Sequence, residues 1–126
     1  MSQIEKNYHI SASPERVWQA LVDPFEIGQW SEAPARISAE RGAHFSLWDG
    51  EIVGKNTEVE PGRRLAQEWR EKSWQRPSTV TFELRPERGG TKLSFTQDSV
   101  PLDRLEQIDL GWDEYYLGAI KKYLEQ

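Results

Sequence analysis

The spacing of the apolar side chains changes near Pro101, and that change constrains the fold most. They recur at every second position between residues 35 and 97, and every three to four positions after Pro101. A period of two is typical of half-buried strands, and a period near 3.6 of an amphipathic helix. Gly, Pro or Asp interrupts the first pattern about every 8 to 15 residues, as hairpins require. The chain is therefore predicted to form an antiparallel meander followed by one long helix.

Six strands are predicted within the meander. Their turns fall at dipeptides that accept a positive or preset φ: Arg41-Gly42, Asp49-Gly50, Pro61-Gly62 and Gly89-Gly90. The predicted strands are Arg36–Glu40, Ala43–Trp48, Ile52–Glu60, Arg64–Glu71, Thr79–Arg85 and Thr91–Gln97.

The segment before residue 35 predicts one further strand and two short helices. Apolar and polar residues alternate over Ile4–Ile10, as in a half-buried strand. Ser13 and Pro14 provide an N-cap and a preset φ for the first helix, which Asp23-Pro24 ends. A second short helix is expected over Phe25–Trp30. The C-terminal helix has a broad, aromatic-rich stripe of Leu105, Ile108, Trp112, Tyr115, Tyr116, Ala119, Ile120 and Tyr123.

Composition excludes several classes of function. The 126 residues carry 16 basic and 21 acidic side chains, and the net charge of −5 disfavours binding to nucleic-acid backbones and anionic membranes. Because there is no cysteine, disulfides, thiolate nucleophiles and Cys-ligated zinc are excluded. Neither a membrane span nor a signal peptide is indicated. We expect one cytoplasmic domain, residues 1–126, with no nucleic-acid or membrane partner; the oligomeric state is not predicted.

Five sequence strings, in matching order and spacing, carry a resemblance to a known family. They are SPERVWQAL at 13–21, IGQW at 27–30, EVEPGRRL at 58–65 with EW at 68–69, GTKLSF at 90–95, and GWDEYYL at 111–117. Together they resemble the family named for the activator of the ninety-kilodalton heat-shock protein's ATPase. That family belongs to the START-like, SRPBCC superfamily of ligand-cavity proteins.

The resemblance implies an α+β helix-grip fold. In that fold a seven-stranded curved antiparallel sheet surrounds a long C-terminal helix, and two short helices follow the first strand. It also implies a ligand cavity or contact with a chaperone. The eukaryotic activators carry a further N-terminal domain for which this chain has no room, so we expect at most weak stimulation of a chaperone ATPase. Ser31 and Asn56 stand where the family often has apolar residues, which would make the cavity or its entrance more polar.

The candidate ligand site is the space between the sheet and the C-terminal helix. Gln67 and Trp69 share strand parity with Leu65 and should face the same side. A buried amide such as that of Gln67 needs hydrogen-bond partners, which a ligand or ordered water would supply. A small apolar or aromatic ligand would contact Phe45, Asn56, Gln67, Trp69, Phe82, Phe95, Trp112 and Tyr116. The alternative is that these side chains simply fill the core.

No catalytic, metal or cofactor site is predicted. Strand parity does not bring His9 and His44 together, so both are interpreted as surface histidines rather than as a metal site or general base. Asp49 and Glu51 flank Gly50, and a charged hairpin turn explains them more simply than an acid–base pair. The sequence also lacks a phosphate-cradling loop and a nucleophile elbow.

Three functions therefore remain open. The first is a non-catalytic domain that encloses a small ligand, and the second is a co-chaperone-like interaction module with a full core. The third is a cyclase- or hydrolase-type enzyme. Exposed rings of Trp30, Trp48 and Trp74, expected at strand ends or loops, would form a partner surface or a ligand entrance. The enclosed volume separates the first two functions, since a ligand site needs roughly 300 Å³ or more.

Overall fold

The computed structural model describes residues 2–126, in which seven strands form one antiparallel sheet ordered β1-β7-β6-β5-β4-β3-β2. Along the chain the elements are β1 (Ser2–Ile10), α1 (Pro14–Val22), α2 (Pro24–Ser31), β2 (Ala35–Arg36), β3 (His44–Leu47), β4 (Ile52–Glu60), β5 (Arg64–Glu71), β6 (Ser78–Glu87) and β7 (Gly90–Val100). After a 3-10 turn at Leu102–Arg104, the C-terminal helix comprises α3 (Leu105–Gly111), a π-helical turn (Trp112–Tyr116) and α4 (Leu117–Leu124). The predicted fold class is confirmed.

The first short helix begins where the sequence predicts, and the second begins at Pro24, one residue before the predicted Phe25. The Ser13 hydroxyl accepts a hydrogen bond from the Arg16 amide at 3.2 Å. The Asp23 carboxylate accepts one from the Phe25 amide at 2.9 Å, so it caps α2 directly after α1 ends. The Trp30 indole N–H donates to the Ala20 carbonyl at 2.9 Å. That bond joins the two helices and buries Trp30, which sequence analysis expected to be exposed.

The largest difference from the predicted strands is at β2, which spans two residues instead of Arg36–Glu40. The Asn56 side-chain amide donates to the carbonyls of Ser38 and Glu40, at 2.9 Å each, so these groups are satisfied outside a strand ladder. β3 ends at Leu47, one residue early, because Trp48 adopts φ 57° and starts the turn. β6 and β7 are longer than predicted, and the exposed Pro86 is accommodated near their hairpin end.

The C-terminal helix contains a π-helical turn that the 3.6-residue period does not reveal. The Leu117 N–H donates to the Trp112 carbonyl, five residues back rather than four. The extra residue changes which side chains face the sheet: Tyr116 and Leu117 are both buried, whereas Tyr115 is 65% exposed. Tyr115 therefore leaves the predicted apolar stripe and lies at the surface.

Two glycines in this helix provide a matched test of the π turn. A Cβ at Gly118 would lie 1.9 Å from the Asp113 carbonyl oxygen, whereas at Gly111 it would meet nothing within 4 Å. We expect Gly118→Ala to lower the free energy of unfolding by about 1–3 kcal/mol through overpacking. Gly111→Ala should raise it by up to about 1 kcal/mol because alanine favours helix. Urea denaturation measures both, and equal effects would contradict the π-turn geometry.

Side chains of β1 hold the outer face of the helix at this turn. The Lys6 ammonium lies 2.7 Å from the Asp109 carboxylate and 2.8 Å from that of Asp113, and the Tyr8 hydroxyl donates to Asp113. Burial disfavours the Asp113 carboxylate, but the hydrogen bonds from Lys6 and Tyr8 outweigh it and lower its pKa. Burial and the bond to Asp113 raise the pKa of Tyr8. Although burial opposes it, bonding to both carboxylates raises the pKa of Lys6.

These pKa shifts predict the pH range in which the cluster stabilises the fold. The contribution of Asp113 is present above its unfolded pKa of about 3.9 and is lost as pH falls through its lower folded pKa. Those of Lys6 and Tyr8 are present below about pH 10 and are lost as pH rises through their higher folded pKa values. Because Asp113 is half exposed, we expect Asp113→Asn to cost at most about 1 kcal/mol near pH 7. Urea unfolding across pH should show this cost shrinking in acid, and a pH-independent cost would contradict the assignment.

Candidate functional site

All eight predicted ligand residues are buried, six on the sheet and two, Trp112 and Tyr116, on the C-terminal helix. The Trp112 ring is central: its centroid lies 4.3 Å from that of Phe95, 4.7 Å from Tyr116 and 4.9 Å from Trp69. The Phe82 ring stacks on Tyr116 at 5.9 Å. These distances are those of aromatic rings in direct contact. We call this set of Trp69, Phe82, Phe95, Trp112 and Tyr116 the aromatic cluster.

Phe45 reaches the aromatic cluster because glycine stands between them on β4. The Phe45 and Trp69 centroids are 5.9 Å apart, on strands that both pair with β4 at Gly54. A Cβ at Gly54 would lie 2.8 Å from the Phe45 ring and 1.9 Å from the Glu68 carbonyl oxygen. The glycine thus permits the close approach of the strand and the ring.

A chain of hydrogen bonds crosses the core beside these rings. The Trp112 indole N–H donates to the Gln97 side-chain oxygen at 2.7 Å, and the Gln97 amide donates to the Ser78 hydroxyl at 2.8 Å. The Ser78 hydroxyl donates in turn to the Trp69 carbonyl at 3.3 Å. Sequence analysis did not identify Gln97 and Ser78 as inward-facing. The strand parity that Gln97 shares with Leu93 and Phe95 could have identified it.

A second polar pair is anchored by Asn56. Its side-chain amide donates one hydrogen bond to the Ser38 carbonyl and one to the Glu40 carbonyl. Its side-chain oxygen therefore faces Gln67. The Gln67 amide donates to that oxygen at 3.0 Å, which leaves the Gln67 side-chain oxygen buried with no hydrogen-bond partner among residues 2–126. A buried acceptor without a partner costs about 1–3 kcal/mol. Gln67 therefore presents one free acceptor to any donor that enters the core.

Two openings lie next to the aromatic cluster. A cleft of about 210 Å³ is lined by the cluster residues Trp69, Trp112 and Tyr116, and the ion pair of Arg104 with Glu71, at 3.0 Å, lies beside it. Burial raises the pKa of Tyr116, so its hydroxyl stays protonated at neutral pH. A larger groove of about 610 Å³ lies between the end of α2, the β3–β4 turn and the C-terminal helix. Trp48 and Tyr115 line both openings.

The remaining sequence candidates lie elsewhere. The His9 ring nitrogen is 2.5 Å from the Glu87 carboxylate at the surface, and His44 is exposed on β3. Trp74 is buried, contrary to the expected exposed ring. Within residues 2–126 no cluster of three or more His, Asp or Glu side chains is arranged to hold a metal ion. In that same range no helix is long and apolar enough to cross a membrane.

A curved antiparallel sheet around a C-terminal helix, with two short helices after the first strand, defines a START-like helix-grip protein. The chain belongs to the family described as Activator of Hsp90 ATPase homolog 1-like protein, whose profile matches residues 11–125. The family resemblance inferred from the five sequence strings is thus confirmed.

Known proteins support the same assignment. The mouse Activator of 90 kDa heat shock protein ATPase homolog 1 is 30% identical over 112 residues, which are 87% of this chain and 33% of that protein. An HSP90 activator from Plasmodium falciparum superposes with a TM-score of 0.92 at 26% identity, covering 99% of this chain and 97% of that chain. The Aha1 dimer from Colwellia psychrerythraea shares the fold, with a TM-score of 0.86 at 21% identity over 99% and 97% of the two chains. This chain spans about a third of the length of the mouse protein.

Proposed function

We propose that this chain is a co-chaperone-like protein-interaction module that binds an Hsp90-class chaperone through its outer surface. The observation that carries the proposal is the packing of the aromatic cluster. Ring centroids 4.3 to 5.9 Å apart occupy the place where an enclosed ligand would lie. Membership of the Hsp90 ATPase activator family supports the same function.

Direct binding tests this proposal. The purified chain, with its net charge of −5, is titrated into the Hsp90 of the same organism, and the dissociation constant is measured by calorimetry. We expect affinity to fall at least about tenfold between low and high salt, because exposed charges are screened. Stimulation of the Hsp90 ATPase is expected to be weak. Absence of binding at low salt would refute the proposed function, and tight, salt-insensitive binding with several-fold stimulation would contradict the electrostatic prediction.

A second candidate, binding of a small aromatic molecule, is favoured by two observations. The Gln67 side-chain oxygen has no hydrogen-bond partner among residues 2–126. Trp69, two residues further along β5, lines the 210 Å³ cleft. That volume is below the roughly 300 Å³ of typical ligand sites, so a molecule about the size of one aromatic ring is the appropriate probe. Gln67 itself does not line the cleft, so such a ligand would have to enter the core beyond Trp69 and carry an N–H or O–H group for the Gln67 oxygen.

Phenol and benzyl alcohol, each one aromatic ring with an O–H donor, are suitable probes for this second candidate. Binding should change tryptophan emission saturably and raise the melting temperature by mass action. Gln67→Leu should weaken binding of these probes while leaving the fold intact. The affinity for toluene, which has no hydrogen-bond donor, should not change with that substitution. If neither probe changes the emission or the melting temperature, the ligand hypothesis is excluded for this class of molecule.

A further inference from the structure

The exposed large apolar side chains of this molecule are concentrated on one element. Among residues 2–126 there are four of them, and three lie on the C-terminal helix or the 3-10 turn that leads into it: Leu102 at 76%, Leu110 at 59% and Tyr115 at 65% exposed. The fourth, Phe25, lies on α2. A single exposed apolar side chain is ordinary in a folded protein, whereas several close together indicate an interaction surface.

The spacing of these three side chains places them along one face of the helix. Leu102, Glu106 and Leu110 follow one another at four-residue steps, which lie on the same helix face, and all three are exposed. Across the π-helical turn the step along one face is five residues, so Tyr115 continues the line after Leu110. At 1.5 Å per residue the line is about 20 Å long. We call Leu102, Leu110 and Tyr115 the apolar ridge.

The charges around the apolar ridge are almost all negative. Between residues 102 and 118 the chain has five carboxylates and one basic side chain, Arg104, which is already paired with Glu71 at 3.0 Å. Asp103, Glu106 and Glu114 are exposed and have no salt-bridge partner among residues 2–126. A surface that covers the ridge must therefore be apolar at its centre and positively charged at its edge.

We propose that the apolar ridge docks into an apolar groove of the partner protein that is rimmed by Lys or Arg, an inference that rests on the proposed function. The ridge side chains enter that groove as the apolar face of a helix does in helix-in-groove recognition. The rim cations pair with Asp103, Glu106 and Glu114. The inference assigns the contact with the chaperone to the outer face of the C-terminal helix.

Other occupants fit the apolar ridge less well. A helix face whose side chains are 59 to 76% exposed is convex, so it cannot enclose a small molecule. Two copies of this chain packed ridge to ridge would bring the same carboxylates together, and like charges at an interface are unfavourable. The same carboxylates repel nucleic acids and anionic lipids. A groove with a basic rim on another protein satisfies both the apolar and the charged side chains.

The first test removes apolar side chains without changing the charge. The ridge variant carries Leu102→Ala and Leu110→Ala, and the control Phe25→Ala removes a ring that is 72% exposed on α2. The melting temperatures of both should stay close to that of the parent because the removed side chains are exposed. In calorimetric titration into Hsp90, the ridge variant should bind at least about tenfold more weakly than the parent, and the control within about twofold. Equal losses in the two would overturn the proposal.

The second test addresses the charged edge. Glu106→Gln with Glu114→Gln is compared with Glu5→Gln and Glu60→Gln, which neutralise two exposed carboxylates on β1 and β4. Each pair removes two negative charges from a net charge of −5. The first pair should weaken Hsp90 binding severalfold more than the second at low salt, and the difference should disappear at high salt. Equal losses at low salt would overturn the basic rim, because overall acidity would then explain binding.

Site-specific crosslinking gives a readout that does not depend on affinity. Because the chain has no cysteine, one introduced cysteine carries a benzophenone photocrosslinker to a single position. Leu110→Cys should crosslink to Hsp90, and Phe25→Cys should not. Crosslinks between two copies of the chain, with none to Hsp90, would show that the ridge serves self-association and would overturn the proposal.

The parent titration separates failure of this inference from failure of the proposed function. If the parent binds Hsp90 and the ridge variant binds it as tightly, the docking site is overturned while the proposed function stands. If the parent does not bind Hsp90, the proposed function fails, and the partner assigned to the ridge is overturned with it.

Discussion

Trp112→Ala should lower the free energy of unfolding by about 3–5 kcal/mol, the usual cost of removing a large ring from a packed core. The ring contacts those of Trp69, Phe95 and Tyr116 at centroid distances of 4.3 to 4.9 Å. Its loss also leaves the buried Gln97 oxygen without its donor, at about 1–3 kcal/mol. Against a total stability of about 5–15 kcal/mol, the variant should be close to unfolding.

Two control variants separate the contributions to this effect. Trp112→Phe keeps an aromatic ring and loses the hydrogen bond to Gln97, so its cost should be intermediate. Leu110→Ala, at a side chain that is 59% exposed two residues earlier, should change stability by less than about 0.5 kcal/mol. Urea denaturation followed by circular dichroism measures all three. If Trp112→Ala costs less than about 1 kcal/mol, the cluster is not a packed core, and the enclosed-ligand function becomes the better hypothesis.

The inner face of this molecule was predictable because it depends on strand parity. Once Leu65 faces the core, Gln67 and Trp69 must follow, and the structure buries all three. The same rule applied to β7 would have identified Gln97. Parity does not give hydrogen-bond partners, however, so the bond from Trp112 to Gln97 was not predictable.

The groove of about 610 Å³ was not predictable, because its geometry arises where α2, the β3–β4 turn and the C-terminal helix meet. Glu32 and Trp48 adopt positive φ values of 60° and 57° at non-glycine positions that no turn motif marks, whereas Asp49, at 58°, belongs to the predicted Asp49-Gly50 turn. Tyr115 matches a regular helical stripe in the sequence, and only the π-helical turn moves it to the surface. Sequence analysis interpreted Asp49 and Glu51 as a charged hairpin turn. That interpretation fits their exposure, but it could not bring Glu114 to the same groove.

Asn56 is the position at which the smallest chemical change should have the next largest effect. Its side-chain amide donates to the Ser38 and Glu40 carbonyls and accepts from Gln67, and its side chain is buried. Asn56→Asp has nearly the same shape but replaces the donor group with a carboxylate oxygen. That oxygen would face two carbonyl oxygens, and among residues 2–126 the Asn56 side chain has no hydrogen bond with a Lys or Arg. A buried charge without a partner costs about 3–5 kcal/mol, so we expect a loss of that size at neutral pH.

The pH dependence distinguishes this charge effect from simple misfitting. Burial disfavours the introduced carboxylate, so its folded pKa is raised above the unfolded value of about 3.9. A carboxylate with a raised folded pKa destabilises the fold increasingly as pH rises from its unfolded pKa to its folded pKa. The loss in free energy of unfolding relative to the parent should therefore shrink as pH falls toward 4. Gln67→Leu is the matched control: it removes one unpaired acceptor and leaves another on Asn56, so its net effect should be within about 1 kcal/mol at every pH. A deficit in Asn56→Asp that stays constant from pH 4 to pH 8, measured by urea unfolding, would show that misfitting rather than a buried charge causes the loss.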